Sequence, residues 1–355
     1  MRVLVVDDSA FMRKAISLMS ESDSTLTVAD IARNGEEALE KIRTLNPDVV
    51  TLDIEMPVMD GMTVLKKLKA SPSDKMPAIL VCSTLTKKGS LDALTALRLG
   101  AADYVTKDPS TFGAGTADAK KELIAKIKAI CSTRSERTSV ARVSPVLPTK
   151  VLNLANHPTE VLLIGSSTGG PPVLEEILTA IPAEFPAPIV VAQHMPVLFT
   201  KSLAERLDEV CAIRVEHGEH GAKLKPGTAY IVPGGQNGRV LRGLLGEVRL
   251  EVSPHPVDAP YKPSVDELLG SAAKAFGARA VGVVLTGMGE DGARGGLSLA
   301  QAGGKVLSQS RETCVVYGMP KAVAENGASC AALTPAEIGA ALKTILNEGK
   351  KRLIA

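Results

Sequence analysis

The chain has 355 residues, 45% hydrophobic and 23% charged, a composition that excludes a disordered protein and leaves room for two domains, each with its own core. Its formal charge of +2 removes the electrostatic case for nucleic acid or an anionic membrane as partner. Five scattered cysteines (Cys82, Cys131, Cys211, Cys314 and Cys330), none in a CxxC arrangement, argue for a reducing compartment and against a disulfide framework or zinc site.

Met1 runs directly into "RVLVVD" without a charged leader or apolar signal region, and no apolar run approaches the about 20 residues of a membrane span. The expected location is cytoplasmic, with no membrane insertion. Short apolar runs, "RVLVVD", "LTVADIA", "DVVTLDI", "PAILVCST" and "ADYVTK", then alternate with segments of helical spacing such as "GEEALEKIRTL". This alternation predicts a parallel sheet covered by helices on both faces. In such a sheet, ligands gather beyond the carboxyl ends of the strands. Asp7 and Asp8 end the first predicted strand, and Asp53 ends the third. Three converging carboxylates repel one another unless a hard cation binds them, and Mg2+ suits an all-oxygen site that keeps several waters. Ser83 and Thr84 end the fourth strand and Lys107 the fifth, placing a hydroxyl and an ammonium where they can stabilise a phosphoryl group on Asp53.

"VLVVDDS", "DVVTLDIEMPVMDGM", "CST" and "DYVTK" together resemble the receiver domain of two-component response regulators, across residues 1–130. The resemblance implies a flavodoxin-like fold, phosphorylation of Asp53 with a histidine kinase as phosphodonor, and Mg2+ held by Asp7, Asp8, Asp53 and the Glu55 carbonyl. It further implies that Thr84 and Lys107 sense the phosphoryl group and that Tyr104 is an aromatic switch. "KDP" at 107–109 departs from the family's usual Lys-Pro and predicts a shifted loop after the lysine.

Residues 131–158 are rich in Ser, Thr, Arg and Pro and lack an apolar period, which predicts an interdomain linker whose last residues lie against the second domain. Beyond it the α/β pattern resumes. "EVLLIG", "APIVVAQ", "TAYIVP" and "AVGVVLTG" read as strands, "PVLEEILTAI" and "VDELLGSAAKAFG" as helices, and "GRVLRGLLGEVRLEV" as a hairpin. "LLIGSSTGGPP" fits G-x-S-x-G about Ser167, the pattern of a strand-to-helix turn that exposes a serine. It also has the look of a phosphate loop, although it lacks the lysine and the ribose-binding acid of the nucleotide motifs. Alone, it leaves Ser166 and Ser167 as rivals.

A serine nucleophile needs a base. His157 falls in the linker and His255 in a proline-rich loop, while His217 and His220 share the glycine-interrupted "EHGEHG", which reads as a solvated loop rather than a metal site. His194 instead follows a buried strand. Glu290 and Asp291 follow "AVGVVLTGMG", and Asp291 is the candidate carboxylate to orient the imidazole; Asp258 and Asp266 are less attractive, since no strongly buried strand precedes them. Ser167, His194 and Asp291 each lie just past a parallel-type strand, so all three can meet at one rim. Their chain order argues against an ordinary α/β-hydrolase, which runs Ser, acid, His.

"IGSSTGGP", "LKPGTAYIVPGG", "YKPSVDELL", "LTGMGEDGARGGLSLAQAGG" and "CVVYGMPKA" resemble the catalytic domain of chemotaxis response-regulator protein-glutamate methylesterases, over about residues 159–349. The resemblance implies Ser167 as nucleophile, His194 as general base and acid, Asp291 as orienting carboxylate, and oxyanion stabilisation near Thr168 and Met288. It implies no cofactor for catalysis, and as substrate the γ-glutamyl methyl esters and particular glutamines of chemoreceptor cytoplasmic domains. "PGGQNGRV" lacks a histidine that family members often carry near Asn237, a position expected to be substrate-side. The expected fold is α/β: two doubly wound parallel-sheet domains, a flavodoxin-like receiver (1–130) and a Rossmann-like three-layer methylesterase domain (159–355), joined by the 131–158 linker. The competing reading is a receiver-controlled binding protein with a non-hydrolytic second domain. A DNA-binding regulator is disfavoured by the absence of a basic stripe.

Overall fold

Residues 3–6 form the core of β1 (Arg2–Val6) and are wholly buried, as a strand covered on both faces requires. The computed structural model describes residues 1–71, 76–107, 116–140 and 154–345, and the chain divides into two units, Met1–Ser139 and Val140–Ala355. After β1 the first unit continues through α1 (Ala10–Glu21), β2 (Thr27–Ala32), α2 (Gly35–Leu45), β3 (Val49–Asp53), α3 (Gly61–Ala70), β4 (Ala78–Ser83), α4 (Lys87–Arg98), β5 (Asp103–Thr106) and α5 (Ala117–Val140). Its five strands are parallel, in the order β2-β1-β3-β4-β5. The direction of winding reverses between β1 and β3, so their carboxyl ends flank the crevice in which doubly wound sheets bind ligands. Side chains set the helix starts: Ser9, Asn34 and Asp60 accept from the backbone amides of Met12, Glu37 and Thr63.

The structure differs from the expected linker at its beginning. Residues 131–140 continue α5, because no glycine or proline interrupts 117–140 and the first proline beyond is Pro145. Residues 141–153 and the Asp108-Pro109 departure lie outside the described residues. Leu154 is buried, and its amide donates to Thr344 Oγ1 at 2.8 Å within the second unit.

The second unit comprises β6 (Val161–Ser166), α6 (Gly170–Thr179), β7 (Ile189–Gln193), α7 (Val197–Val210), β8 (Arg214–His217), β9 (Thr228–Ile231), β10 (Asn237–Arg242), β11 (Val248–Ser253), α8 (Val265–Ala275), β12 (Ala280–Val284), α9 (Ala293–Gln301), β13 (Lys305–Gln309), α10 (Met319–Glu325), β14 (Ala331–Leu333) and α11 (Pro335–Lys343). Seven strands form one parallel sheet in the order β14-β13-β12-β6-β7-β9-β8. As expected, β10 and β11 pair as an antiparallel hairpin; it packs on α8. Helix α6 packs against α7 and α11, and α8 against α9. Both expected doubly wound sheets are therefore present. Among the described residues, no helix is long and apolar enough to cross a membrane.

The chain winds outward from β6 in both directions, which makes β6 and its neighbours β7 and β12 the switch point of this sheet. One contact there is unusually close. A Cβ on Gly165, in β6, would lie 2.2 Å from Cγ1 of Val265, the first residue of α8. Gly165→Ala is therefore expected to destabilise this unit by about 1–3 kcal/mol through overpacking, read as a lower denaturant midpoint of its unfolding transition with little change in slope.

Candidate functional site

Strand register brings the second-unit residues together. Ser166 and Gln193 are cross-strand partners at the ends of β6 and β7, so Ser167 and His194 are the next residues out. The His194 amide donates to the Ser166 carbonyl at 3.0 Å, and the Ser167 amide to the Thr286 carbonyl, just past β12, at 3.0 Å. Residue 287 must be glycine for this approach, since a Cβ there would lie 2.7 Å from Ser167 Cβ and 2.3 Å from Met319 Sδ.

The two adjacent serines have different surroundings. Ser166 is wholly buried and its hydroxyl donates to Gln193 Oε1 at 2.5 Å. The Gln193 Nε2 group donates in turn to the Ser167 carbonyl at 3.0 Å, so Ser166 and Gln193 together brace the turn. Ser167 is half-buried and its hydroxyl takes no part in that brace. Nor does it hydrogen-bond to His194 in this structure; strand-end backbone pairing sets the proximity of the two residues.

His194 and Asp291 are joined directly, Nε2 to Oδ2 at 2.8 Å, with only 9% and 5% of their side chains exposed. The other imidazole nitrogen, Nδ1, is buried without a hydrogen-bond partner among the described residues. Tyr261 stacks on the His194 ring. Asp291 does not cap its own helix. It accepts from Ser264 Oγ (3.1 Å), Val265 N (2.7 Å) and Asp266 N (2.9 Å), capping α8, while Asp266 Oδ1 accepts from Gly292 N and Gly295 N at the start of α9. The two helices exchange caps. Burial opposes ionisation of Asp291, but the His194 hydrogen bond and charge and the Val265 and Asp266 amides outweigh it, and the carboxyl sits below its ordinary value. Glu290 is exposed on the same turn.

Thr168 is buried beside Ser167, and its carbonyl accepts from Thr286 Oγ1 at 2.9 Å; Met288 lies two residues beyond Thr286 and is half-buried. Asn237 corrects an expectation. It is 1% exposed, accepting from Ser264 N at 2.9 Å and donating to the His255 carbonyl at 3.2 Å, so it braces the loop before α8 instead of facing substrate. His217 ends β8 and pairs with Thr200 Oγ1, while His220 meets the Val252 backbone, so the two do not form a joint ligand set. Gln193, Ser264 and Tyr261 were not singled out in sequence as site residues. The one signal for two of them was the "YKPSVDELL" segment, which contains both Tyr261 and Ser264.

In the first unit, Asp7, Asp8 and Asp53 each offer a carboxylate oxygen, and these atoms lie within 4.8 Å of one another. This is the one such cluster among the described residues, and its all-oxygen donors fit a hard divalent cation. Lys107 Nζ contacts Asp53 Oδ2 at 2.5 Å and Asp7 Oδ2 at 3.3 Å. Burial pushes the Asp53 carboxyl up to about 6 against the opposing effect of Lys107, and Asp7 adds to the rise. The amide of Glu55 reaches Asp53 Oδ1 at 3.4 Å, while its side chain pairs with Lys88. The Thr84 hydroxyl meets Thr86 Oγ1 at 3.3 Å, and Tyr104 is buried with Lys126 Nζ 5.0 Å from its ring centroid.

Comparison with known proteins finds a match for each unit. The CheB methylesterase family model matches residues 162–342, and that of the response regulator receiver domain matches residues 3–111. The protein-glutamate methylesterase/protein-glutamine glutaminase 1 of Oleidesulfovibrio alaskensis is 46% identical over 351 residues, covering 92% of this chain and 94% of that protein. A relative from Nitratidesulfovibrio vulgaris, protein-glutamate methylesterase/protein-glutamine glutaminase 2, is 44% identical over 352 residues, with the same coverage of both chains. The crystal structure of the Thermotoga maritima CheB methylesterase catalytic domain is similar at 41% identity and a TM-score of 0.50, covering 52% of this chain and 97% of that one. With likeness of this extent across both units, the chain belongs to the CheB methylesterase family, its catalytic domain preceded by a response regulator receiver domain.

Proposed function

We propose that the protein is a cytoplasmic chemotaxis hydrolase that removes methyl groups from γ-glutamyl esters on chemoreceptor cytoplasmic domains and deamidates glutamines there, using Ser167, His194 and Asp291. The observation that carries this is the buried His194–Asp291 pair, with its second imidazole nitrogen unpartnered, one strand-end from Ser167. An ionised Asp291 accepts, so His194 Nε2 carries the proton and Nδ1 the lone pair. Ser167 Oγ adds to the ester carbonyl as Nδ1 takes its proton. The oxyanion is met by backbone amides near Thr168 and Met288. His194 returns the proton to the leaving methoxide, releasing methanol, or to the leaving nitrogen of a glutamine, releasing ammonia. Water, deprotonated by His194, then cleaves the acyl-enzyme to free glutamate and restores the serine.

Phosphorylation of Asp53 by a histidine kinase phosphodonor would control this activity. Asp7, Asp8, Asp53 and the Glu55 carbonyl would hold Mg2+, which shields the carboxylates from the incoming phosphoryl charge. Lys107 and Thr84 would engage the phosphoryl oxygens, and Tyr104 would respond to the Thr84 shift. Hydrolysis is proposed to be slow in the unphosphorylated protein and to rise on phosphorylation.

Incubating methylated receptor fragments with the protein, with and without a small-molecule phosphodonor, tests the whole reading through release of methanol and ammonia. Release that rises with the phosphodonor and vanishes in Ser167→Ala is the expected result; receptor binding without release would favour the adaptor reading. On the receiver side, intact mass is expected to show phosphoprotein for the wild type incubated with the small-molecule phosphodonor and Mg2+. Asp53→Asn, or chelation by EDTA, is expected to abolish it.

A further inference from the structure

Tyr261 stands outside the Ser167, His194 and Asp291 set, yet it lies flat against the histidine. The ring centroids are 4.4 Å apart and the planes differ by 9°. Its hydroxyl reaches the turn that carries Asp291: a Cβ on Gly289 would come within 3.0 Å of the phenol oxygen. The imidazole itself is tied at one edge only, through Nε2 to Asp291, while Nδ1 is buried and unpartnered among the described residues. A single hydrogen bond leaves a ring able to tilt about the contact, and a stacked aromatic face removes that freedom. The same face presents negative π density to the imidazolium that forms when the serine proton is taken, an attraction that the neutral ring lacks.

We infer that Tyr261 is a positioning residue for the hydrolysis: its ring holds the plane in which His194 presents Nδ1 toward Ser167 and stabilises the imidazolium formed there. This role presupposes the hydrolytic reading above. The loop that carries Tyr261 is itself braced, because buried Asn237 holds the His255 carbonyl at one end and the Ser264 amide at the other. Lys262 Nζ crosses within the loop to the Val257 carbonyl at 2.9 Å. The phenol stays neutral, since burial and then the Asp291 and Glu290 charges push its pKa up. The stacked partner is thus an uncharged ring, and its hydroxyl has no hydrogen-bond partner among the described residues.

The test is steady-state hydrolysis of a methylated receptor fragment by the full chain across about pH 5–9, comparing wild type with Tyr261→Phe, Tyr261→Leu and Tyr261→Gln. Tyr261→Phe keeps the ring face and is expected to hold kcat within about 2-fold. Tyr261→Leu and Tyr261→Gln are expected to lower kcat about 10-fold with KM within about 2-fold, and to move the acidic limb of kcat/KM about half a pH unit lower. Glutamine suits this half-exposed site should leucine compromise folding, and thermal unfolding of each variant tracks that. Wild-type kcat with an unmoved limb in a folded Leu or Gln variant overturns the inference. So does a Phe variant as slow as the Leu variant, which would assign the effect to the hydroxyl. Wild-type turnover that persists in Ser167→Ala would instead overturn the hydrolytic reading, and the Tyr261 role with it.

Discussion

Ser167→Ala is expected to abolish turnover of methylated receptor fragments, with kcat falling by about 10^4–10^6-fold, whereas Ser166→Ala retains activity within about 10-fold. The contrast follows from what each hydroxyl does. Removing the nucleophile of a serine hydrolase leaves only the residual catalysis of substrate binding and oxyanion contacts. The Ser166 hydroxyl instead donates to Gln193 Oε1 in a fully buried position. Its loss leaves that oxygen unsatisfied, at a stability cost of about 1–3 kcal/mol, and loosens the brace on the Ser167 carbonyl. Single-turnover methanol release and chemical denaturation on the two variants separate these outcomes. Turnover lost in Ser166→Ala but kept in Ser167→Ala would make Ser166 the nucleophile and overturn the assignment.

Asp291→Asn is expected to lower kcat by about 10^3–10^4-fold with a small change in KM. Asparagine has one acceptor oxygen where aspartate has two, and Asp291 receives four donors: His194 Nε2, Ser264 Oγ, and the amides of Val265 and Asp266. The amide N–H2 of asparagine must then face one of them. Facing His194, it favours the tautomer with the lone pair on Nε2 and the proton on Nδ1, the wrong one for accepting from Ser167. Facing α8, it breaks the helix cap, at about 1 kcal/mol or more. The carboxyl value is depressed in the folded protein. Its contribution to stability is therefore complete above the unfolded-state value and fades as pH falls through the lower folded value. The stability gap between wild type and variant should accordingly narrow on acidification. A variant with wild-type kcat would remove Asp291 from the chemistry and leave it a helix cap.

Much of the site was legible before any coordinates, for a topological reason. In a parallel sheet every strand runs the same way, so residues that follow different apolar runs arrive at one rim. That alone suffices to nominate Asp7, Asp53 and Lys107 on one sheet and Ser167, His194 and Asp291 on the other. It does not reveal which strands are adjacent. The order β12-β6-β7, and the register that pairs Ser166 with Gln193 and Gly165 with Val284, are long-range pairings with no local signature. The short edge strands β8 and β14 are equally hard to read, since three or four residues carry too little periodicity.

Residues 131–140 show a different failure. Their polar composition suggested irregular chain, yet a segment without glycine or proline continues a helix already begun, since propagation is far easier than nucleation. Asn237 is a third case. A polar residue in a glycine-rich segment reads as exposed, but here two backbone groups satisfy it and it is buried.

By itself, then, the sequence determined the fold class, both sets of strand-end residues and the family, because apolar periodicity and contiguous motifs are local properties of the chain. The tertiary structure decided that Ser166 braces the turn through Gln193, which nitrogen of His194 meets Asp291, and that Asp291 and Asp266 exchange caps between α8 and α9. It also laid Tyr261 on His194, 67 residues away in the chain. Each of these is a side-chain contact, with another side chain or with backbone, between segments distant in the chain. Its partner is chosen by packing, and no spacing along the chain encodes that choice.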